Sequence, residues 1–351
     1  MHFLWRRLLN RLRHVSLEAA AVRSTVVAPA IDLDAKPSLY LDEDIDAIES
    51  VISSSTLEEE RRRILGESRT HLATIQYELH DVRMRDVYIA SRGHLAKMPT
   101  NRPVPRQVAV DHHAHAILST NILSGLEFGH WIRDSLVTEM RGAELDTPAL
   151  GLAREAWQHE PGYREIADLQ CIYTGNAHVD RLLILDDRGC NDYWASRFLA
   201  LRRRMQTRLV PDTDPSLGAL VFVDRGGAAR MRDPTNLPEV RAALETLGFR
   251  TLIPTEQPVA AIRAALRDAR IVISVEGSNL NHVHMLAPEG ITLITLQDPR
   301  RFYAYHKRMI DIYGDRFGFV VGRPSPDSPG RYRINVDQLQ RLIDLVRPLA
   351  A

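Results

Sequence analysis

Cysteine is nearly absent: Cys171 and Cys190 are the only two in 351 residues. Two thiols cannot build a disulfide framework or a cysteine-rich zinc site, and this usage fits two free thiols in a reducing compartment. Long apolar runs are missing too. The longest, such as Ala219 to Val223 and Ile271 to Val275, are strand-length, far short of the ~20 residues of a membrane-spanning helix, so no bilayer crossing is expected. Net charge is lacking, because 45 Lys+Arg balance 45 Asp+Glu. No global pull towards a nucleic-acid backbone follows, and any anion site must be local. There is no Gly-x-Gly-x-x-Gly and no Gly-Lys pair, which sets aside dinucleotide hydride transfer and P-loop hydrolysis.

What is present is ordinary globular material, 44% hydrophobic and 26% charged, in a length that predicts two domains. The start lacks the apolar core and cleavage site of a secretory signal. Phe3, Leu4, Leu8, Leu9 and Leu12 can share one helical side ringed by arginines. Residues 1–13 could therefore lie on an anionic membrane surface or pack on their own domain. Residues 15–40 read as a loose arm and Leu41 to Leu65 as one solvated helix, giving an N-terminal arm over 1–70. A first domain is expected over 71–213. It opens with a hairpin of Thr74 to Glu78 and Asp86 to Ala90, with a helix from Phe128 to Arg141, a strand from Leu182 to Leu185 and a helix from Asp192 to Leu209.

Beyond the break at Pro211, Pro215 and Gly218, β-type runs alternate with amphipathic segments. Strands are expected at Ala219 to Val223, Thr251 to Ile253, Ile271 to Val275, Ile291 to Leu296 and Phe317 to Val321. Alternation of this kind predicts an α/β fold with a doubly wound parallel sheet over 214–335. A last helix within 336–351 carries an apolar stripe of Leu339, Leu342, Ile343 and Val346 that must dock somewhere.

Ligands of doubly wound sheets sit beyond the carboxyl ends of strands. After Val275 come Glu276, Gly277, Ser278 and Asn279, a glycine turn entering a helix, where amides and a hydroxyl can hold a phosphate. After Val223 come Arg225, Arg230 and Arg232, whose guanidiniums can grip the same diphosphate. Glu256 follows the strand between and, like Glu276, could meet sugar or ribose hydroxyls. An ordinary helix cap and solvated arginines are the competing explanation.

In the first half, His130 and Asp134 are four apart on one helix face, where the carboxylate can orient the imidazole as a base for an acceptor hydroxyl. The same pair could simply tie down a helix start. Asp111, His112, His113 and His115 invite a metal reading, but neighbouring histidines on one segment rarely converge without distant partners. They are set down as structural, and no metal ligands are assigned. Of the paired acids, only Asp186 and Asp187 follow a strand and could hold a divalent ion against a diphosphate.

Phe128-Gly129-His130-Trp131 with Asp134, and Gly277-Ser278-Asn279-Leu280-Asn281-His282 followed by Met285, Pro288 and Gly290, stand in an order that resembles glycosyltransferase family 61. Between them, Val221 to Arg225 with Arg230, Arg232 and Asn236 is similar to that family's strand and arginine segment. The resemblance spans roughly Thr74 to Val321. It implies two Rossmann-like domains facing a cleft in a GT-B-like arrangement, with the sugar nucleotide on the second and the acceptor on the first. It also implies inversion at the anomeric carbon without an obligatory metal. Glu127, Glu276, Ser278 and Asn279 depart from the family pattern, and an acid at Glu276 would repel a diphosphate unless it faces hydroxyls.

The expected protein is thus an inverting glycosyltransferase with Asp134, slightly preferred, and His130 as base. Its donor is a nucleoside-diphosphate sugar and it takes no other cofactor. Its acceptor is a glycan or lipid-linked glycan, and it has no nucleic-acid partner. It is expected in the cytoplasm, with residues 1–13 a candidate contact to the inner face of the membrane. Metal-dependent transfer through Asp186 and Asp187, or a non-catalytic sugar-nucleotide or glycan-binding protein, are the alternatives.

Overall fold

The computed structural model describes residues 15–208, 215–227 and 232–349. The expected N-terminal helix of residues 1–13 and Arg230 lie outside them. The chain forms two compact α/β units, residues 1–32 with 70–201, and residues 33–69 with 202–351. The division falls at Leu201/Arg202, inside the helix Asp192–Thr207 rather than in the Pro/Gly-rich break after it. Among the described residues, no helix is long and apolar enough to cross a membrane.

The first unit contains one mixed sheet. Its strands are β1 (Arg23–Ala28), β2 (Thr74–Arg85), β3 (Tyr88–Ser91), β4 (His94–Lys97), β5 (Asp111–Leu118), β6 (Ala149–Leu152), β7 (Cys171–Thr174) and β8 (Asn176–Asp186). The order is β4-β3-β2-β8-β5-β6-β7, with β1 also on β2. Strand β8 runs antiparallel to β2, pairing Leu182 with Leu79, and parallel to β5, pairing Leu182 with Ala116. Four of the seven strand pairings in this sheet are antiparallel, a departure from the all-parallel Rossmann pattern. The hairpin exists but is longer than expected, because the first of its strands runs unbroken through the polar stretch to Arg85. Residues 15–33 are not a loose arm either: β1 pairs along β2 from Arg23 opposite Glu78 to Ala28 opposite Thr74.

In the second unit, β9 (Leu220–Val223), β10 (Arg250–Leu252), β11 (Ile271–Val275), β12 (Thr292–Gln297) and β13 (Arg316–Val321) form a fully parallel sheet in the order β10-β9-β11-β12-β13. Every residue of β11 and β12 is buried, so both faces are covered, which is why these strands read as continuous apolar runs. The last helix, Val336–Val346, docks on this unit, where Leu339, Leu342, Ile343 and Val346 join Phe222, Ile273 and Leu296 in one core. The single helix expected from Leu41 to Leu65 is two, Asp42–Asp46 and Leu57–Leu65. Thr56 starts the second with a capping box, its hydroxyl bound to the Glu59 amide while Glu59 returns to the Thr56 amide. Asp44 ties the first to the sheet by accepting from the Val321 amide at 2.7 Å and from Gln338 Nε2 at 2.6 Å. The chain from β9 crosses first to β10 on one side and then to β11 on the other, so the strand order reverses between β9 and β11. That crevice is where open α/β sheets bind ligands.

Candidate functional site

In the first unit the chain leaves the carboxyl end of β5 at Leu118 and enters a continuous helical segment, 128–144. Its middle, Trp131–Ser135, is a π turn, a feature frequent at functional sites. The π turn sits within the His130-to-Asp134 interval, and His130 Nδ1 lies 2.8 Å from Asp134 Oδ2. Arg133 Nη2 lies 2.8 Å from His130 Nε2, and its Nε lies 3.5 Å from Asp134 Oδ1. Arg133 Nη2 also lies 3.0 Å from His130 Nδ1, so it is the Asp134 contact that sets the tautomer: a proton on Nδ1 donated to Asp134 leaves Nε2 as the acceptor. Asn121 completes the set: its Oδ1 takes the amides of Leu123 and Ser124, which aims Nδ2 at Asp134 Oδ2, 3.0 Å away. Burial pushes the Asp134 carboxyl up, but the His130 hydrogen bond, the Arg133 charge and the Asn121 bond together outweigh it and leave the group below the usual carboxylate range. Asp134 thus stays ionised and holds the ring.

The helix is braced from behind by a network that no motif announced. Glu139 accepts from Ser119 Oγ at 2.7 Å and from Arg164 Nη1 at 2.8 Å. Glu160 accepts from Arg154 at 2.8 Å, from Arg164 Nε at 3.0 Å and from Tyr173 at 2.7 Å. Both arginines also lie over the ring of the fully buried Trp131.

At the crevice of the second unit, Arg225 follows β9 and is only 7% exposed. Its Nη1 donates to the Glu276 carbonyl at 2.7 Å, so Arg225 and the turn after β11 are one structure. A β-carbon on Gly277 would come within 2.5 Å of that Nη1 and displace the guanidinium. Gly226 and Gly227 both take positive φ, and a β-carbon on Gly226 would meet the Thr255 hydroxyl at 2.5 Å, which brings the turn after β10 alongside. Asp224 is paired with Arg241 and accepts from the Gly226 amide at 2.9 Å.

Glu276 does not stand as a bare acid. Arg301 Nη1 donates to its Oε2 at 2.7 Å, and His306 Nε2 is 3.9 Å from its Oε1. The repulsion expected between Glu276 and a diphosphate is thereby offset by a guanidinium that carries no sequence signal. Ser278 is exposed at the turn, whereas Asn279 faces inward, its Nδ2 donating to Ser274 Oγ at 2.7 Å, and Ser274 in turn to the Val223 carbonyl at 2.7 Å. Asn279 is therefore a brace between β9 and β11. The helix that follows, Leu280–Leu286, has only seven residues. Arg232 is exposed, with its carbonyl accepting from Tyr332 Oη at 2.8 Å. Glu256 is exposed on the turn Pro254–Glu256, and no described contact links it to Arg225.

Asp186 and Asp187 are committed elsewhere. Asp186 meets Arg188 at 2.6 Å, while Asp187 meets the buried Arg197 at 2.5 Å and accepts from Thr74 at 2.6 Å. They do not converge as an ion site.

The chain matches the family model of glycosyltransferase 61 over residues 128–294, from the helix of His130 to strand β12. No curated protein matches it. Among solved structures, the flavodiiron protein from Giardia intestinalis is similar at 9% identity and a TM-score of 0.22, over 79% of this chain. The alignment spans 64% of that protein's length, and a likeness this low carries no argument about fold or activity.

Proposed function

We propose that this chain, which belongs to the glycosyltransferase 61 family through residues 128–294, transfers a sugar from a nucleoside-diphosphate donor to a hydroxyl of a glycan or lipid-linked glycan. The observation that carries this reading is Arg225 seated against Gly277 where the strand order reverses between β9 and β11. Arg225 and Arg232, with the amides of the Gly277 turn, form the grip on the diphosphate. Glu276, clasped by Arg301, and Glu256 meet hydroxyls of the donor.

The reaction is a single displacement with inversion. The acceptor oxygen bonds to the anomeric carbon as the bond to the diphosphate oxygen breaks, and the acceptor proton passes to the His130–Asp134 pair. Of the two, His130 is the better proton acceptor, since Nε2 presents the lone pair while Asp134 is engaged with Nδ1. Arg133 holds the Nε2 position until an acceptor hydroxyl replaces it. Proton removal of this kind supplies about 10²- to 10⁴-fold. Stabilising charge on the departing diphosphate supplies more. No metal is required; the first unit carries the acceptor-side groups and the second the donor-side groups, and the enzyme works in the cytoplasm.

The test is transfer from a panel of nucleoside-diphosphate sugars to glycan acceptors by the full chain. His130→Ala and Asp134→Asn should lower turnover about 10²- to 10⁴-fold while leaving donor affinity intact. Unchanged turnover in both variants would remove the pair from the mechanism. Donor binding without turnover over a broad acceptor panel would favour a binding protein.

A further inference from the structure

Strands β5 and β8 place two of the histidines and one aspartate on one face of the first unit's sheet. His112 is in register with His178, and Asp180 lies two residues further along β8, hence on the same face. The rings of His112 and His178 are 5.4 Å apart. Asp180 Oδ1 is 3.0 Å from His112 Nε2 and 3.7 Å from His178 Nδ1, and one donor atom from each residue falls within 4.8 Å of the others. Donors around a tetrahedral zinc at roughly 2.0–2.1 Å are about 3.3 Å apart, so small side-chain rotations close this triangle on an ion. Among the described residues, no other three His, Cys, Asp or Glu groups converge in this way.

A fourth group makes the arrangement more than a chance meeting of exposed side chains. The other nitrogen of His178, Nε2, lies 2.7 Å from Asp81 Oδ1, and Asp81 holds the positive φ of 51° on β2. A histidine that binds a metal through one nitrogen usually donates the other N–H to a carboxylate, which fixes the tautomer and turns the free lone pair to the ion. Asp81 fixes His178 in that way, with Nδ1 directed at Asp180.

We infer that His112, His178 and Asp180 form a binding site for a divalent transition ion of the zinc class, with Asp81 orienting His178. The ion bridges β5 and β8, takes two imidazoles and one carboxylate, and keeps at least one coordination position open to solvent. The distant partners that the histidine-rich segment lacks in sequence are supplied by β8, more than 60 residues away.

Cobalt titration of the chelator-treated full chain, followed by the visible absorption of the bound ion, tests the site. One cobalt per chain should bind and be displaced by zinc. His112→Ala and His178→Ala should each weaken binding by about 100-fold or more, and Asp81→Asn by about 10- to 100-fold. His115→Ala, an exposed histidine on the same strand, should leave it unchanged. Zinc should also raise the melting temperature of the wild type and not that of His112→Ala. Failure to saturate below about 1 mM cobalt, or equal binding by wild type and both histidine variants of unchanged circular dichroism, would overturn the assignment.

Discussion

Arg225 and Gly277 occupy one space: the guanidinium of the first fills the position that a side chain on the second would take, 2.5 Å from Nη1. A side chain on Gly277 would have to push the Arg225 guanidinium aside. Gly277→Ala should therefore displace Arg225 and weaken nucleoside-diphosphate binding by about tenfold, near 1.4 kcal/mol. Calorimetry with the diphosphate reads this, and the His130–Asp134 pair serves as the untouched reference.

The Arg301–Glu276 pair gives a sharper expectation. Arg301→Ala strands a carboxylate that is 7% exposed beside the anion grip, which should cost more than the loss of a surface charge. Adding Glu276→Gln removes the stranded charge. The double variant should thus bind donor better than Arg301→Ala alone, by about tenfold, and a double-mutant cycle in donor affinity measures the coupling.

In the first unit, Glu160 lies between Arg154 and Arg164. Glu160→Ala leaves Arg154, whose side chain is 3% exposed, without its carboxylate. A loss of about 3–5 kcal/mol is expected, because breaking a buried pair leaves an uncompensated charge. Denaturant unfolding followed by tryptophan fluorescence detects it, since Trp131 is buried against this network.

Asp315 makes stability depend on pH. Burial pushes its carboxyl up to about 6, against the opposing pull of the Gly290 amide and Arg202. With the folded value above the unfolded one, the favourable contribution is full below about pH 4 and is lost as pH rises through about 6. Asp315→Asn keeps an acceptor for the Gly290 amide and removes the charge. It should be more stable than the wild type at pH 7 by up to about 3 kcal/mol, with the gap closing towards pH 4. Thermal melts of both proteins over that range check the sign.

How far the chain could be read in advance varied with how each strand is buried. In the second unit, β11 and β12 are covered on both faces and spell apolar runs, so the parallel sheet, Arg225 and the Gly277 turn were all visible in sequence. Strand β5 begins Asp-His-His, because its first half faces solvent, and β6 and β7 are four residues each, too short to show a period. The break between Asp46 and Leu57 was legible in principle, since Thr56 and Glu59 have the capping-box spacing. Arg301, Arg133 and Asn121 carry no such mark. Their roles arise from the turn of one loop towards another, which only three dimensions display.

Calorimetric titration of nucleoside diphosphates into the wild type and Arg225→Ala tests the donor grip most directly. The wild type should bind at least one nucleoside diphosphate, and Arg225→Ala should bind it about tenfold or more weakly, as loss of a charged hydrogen-bond donor of about 1.5–3 kcal/mol requires. Equal affinity in the two proteins would contradict a diphosphate site between β9 and β11.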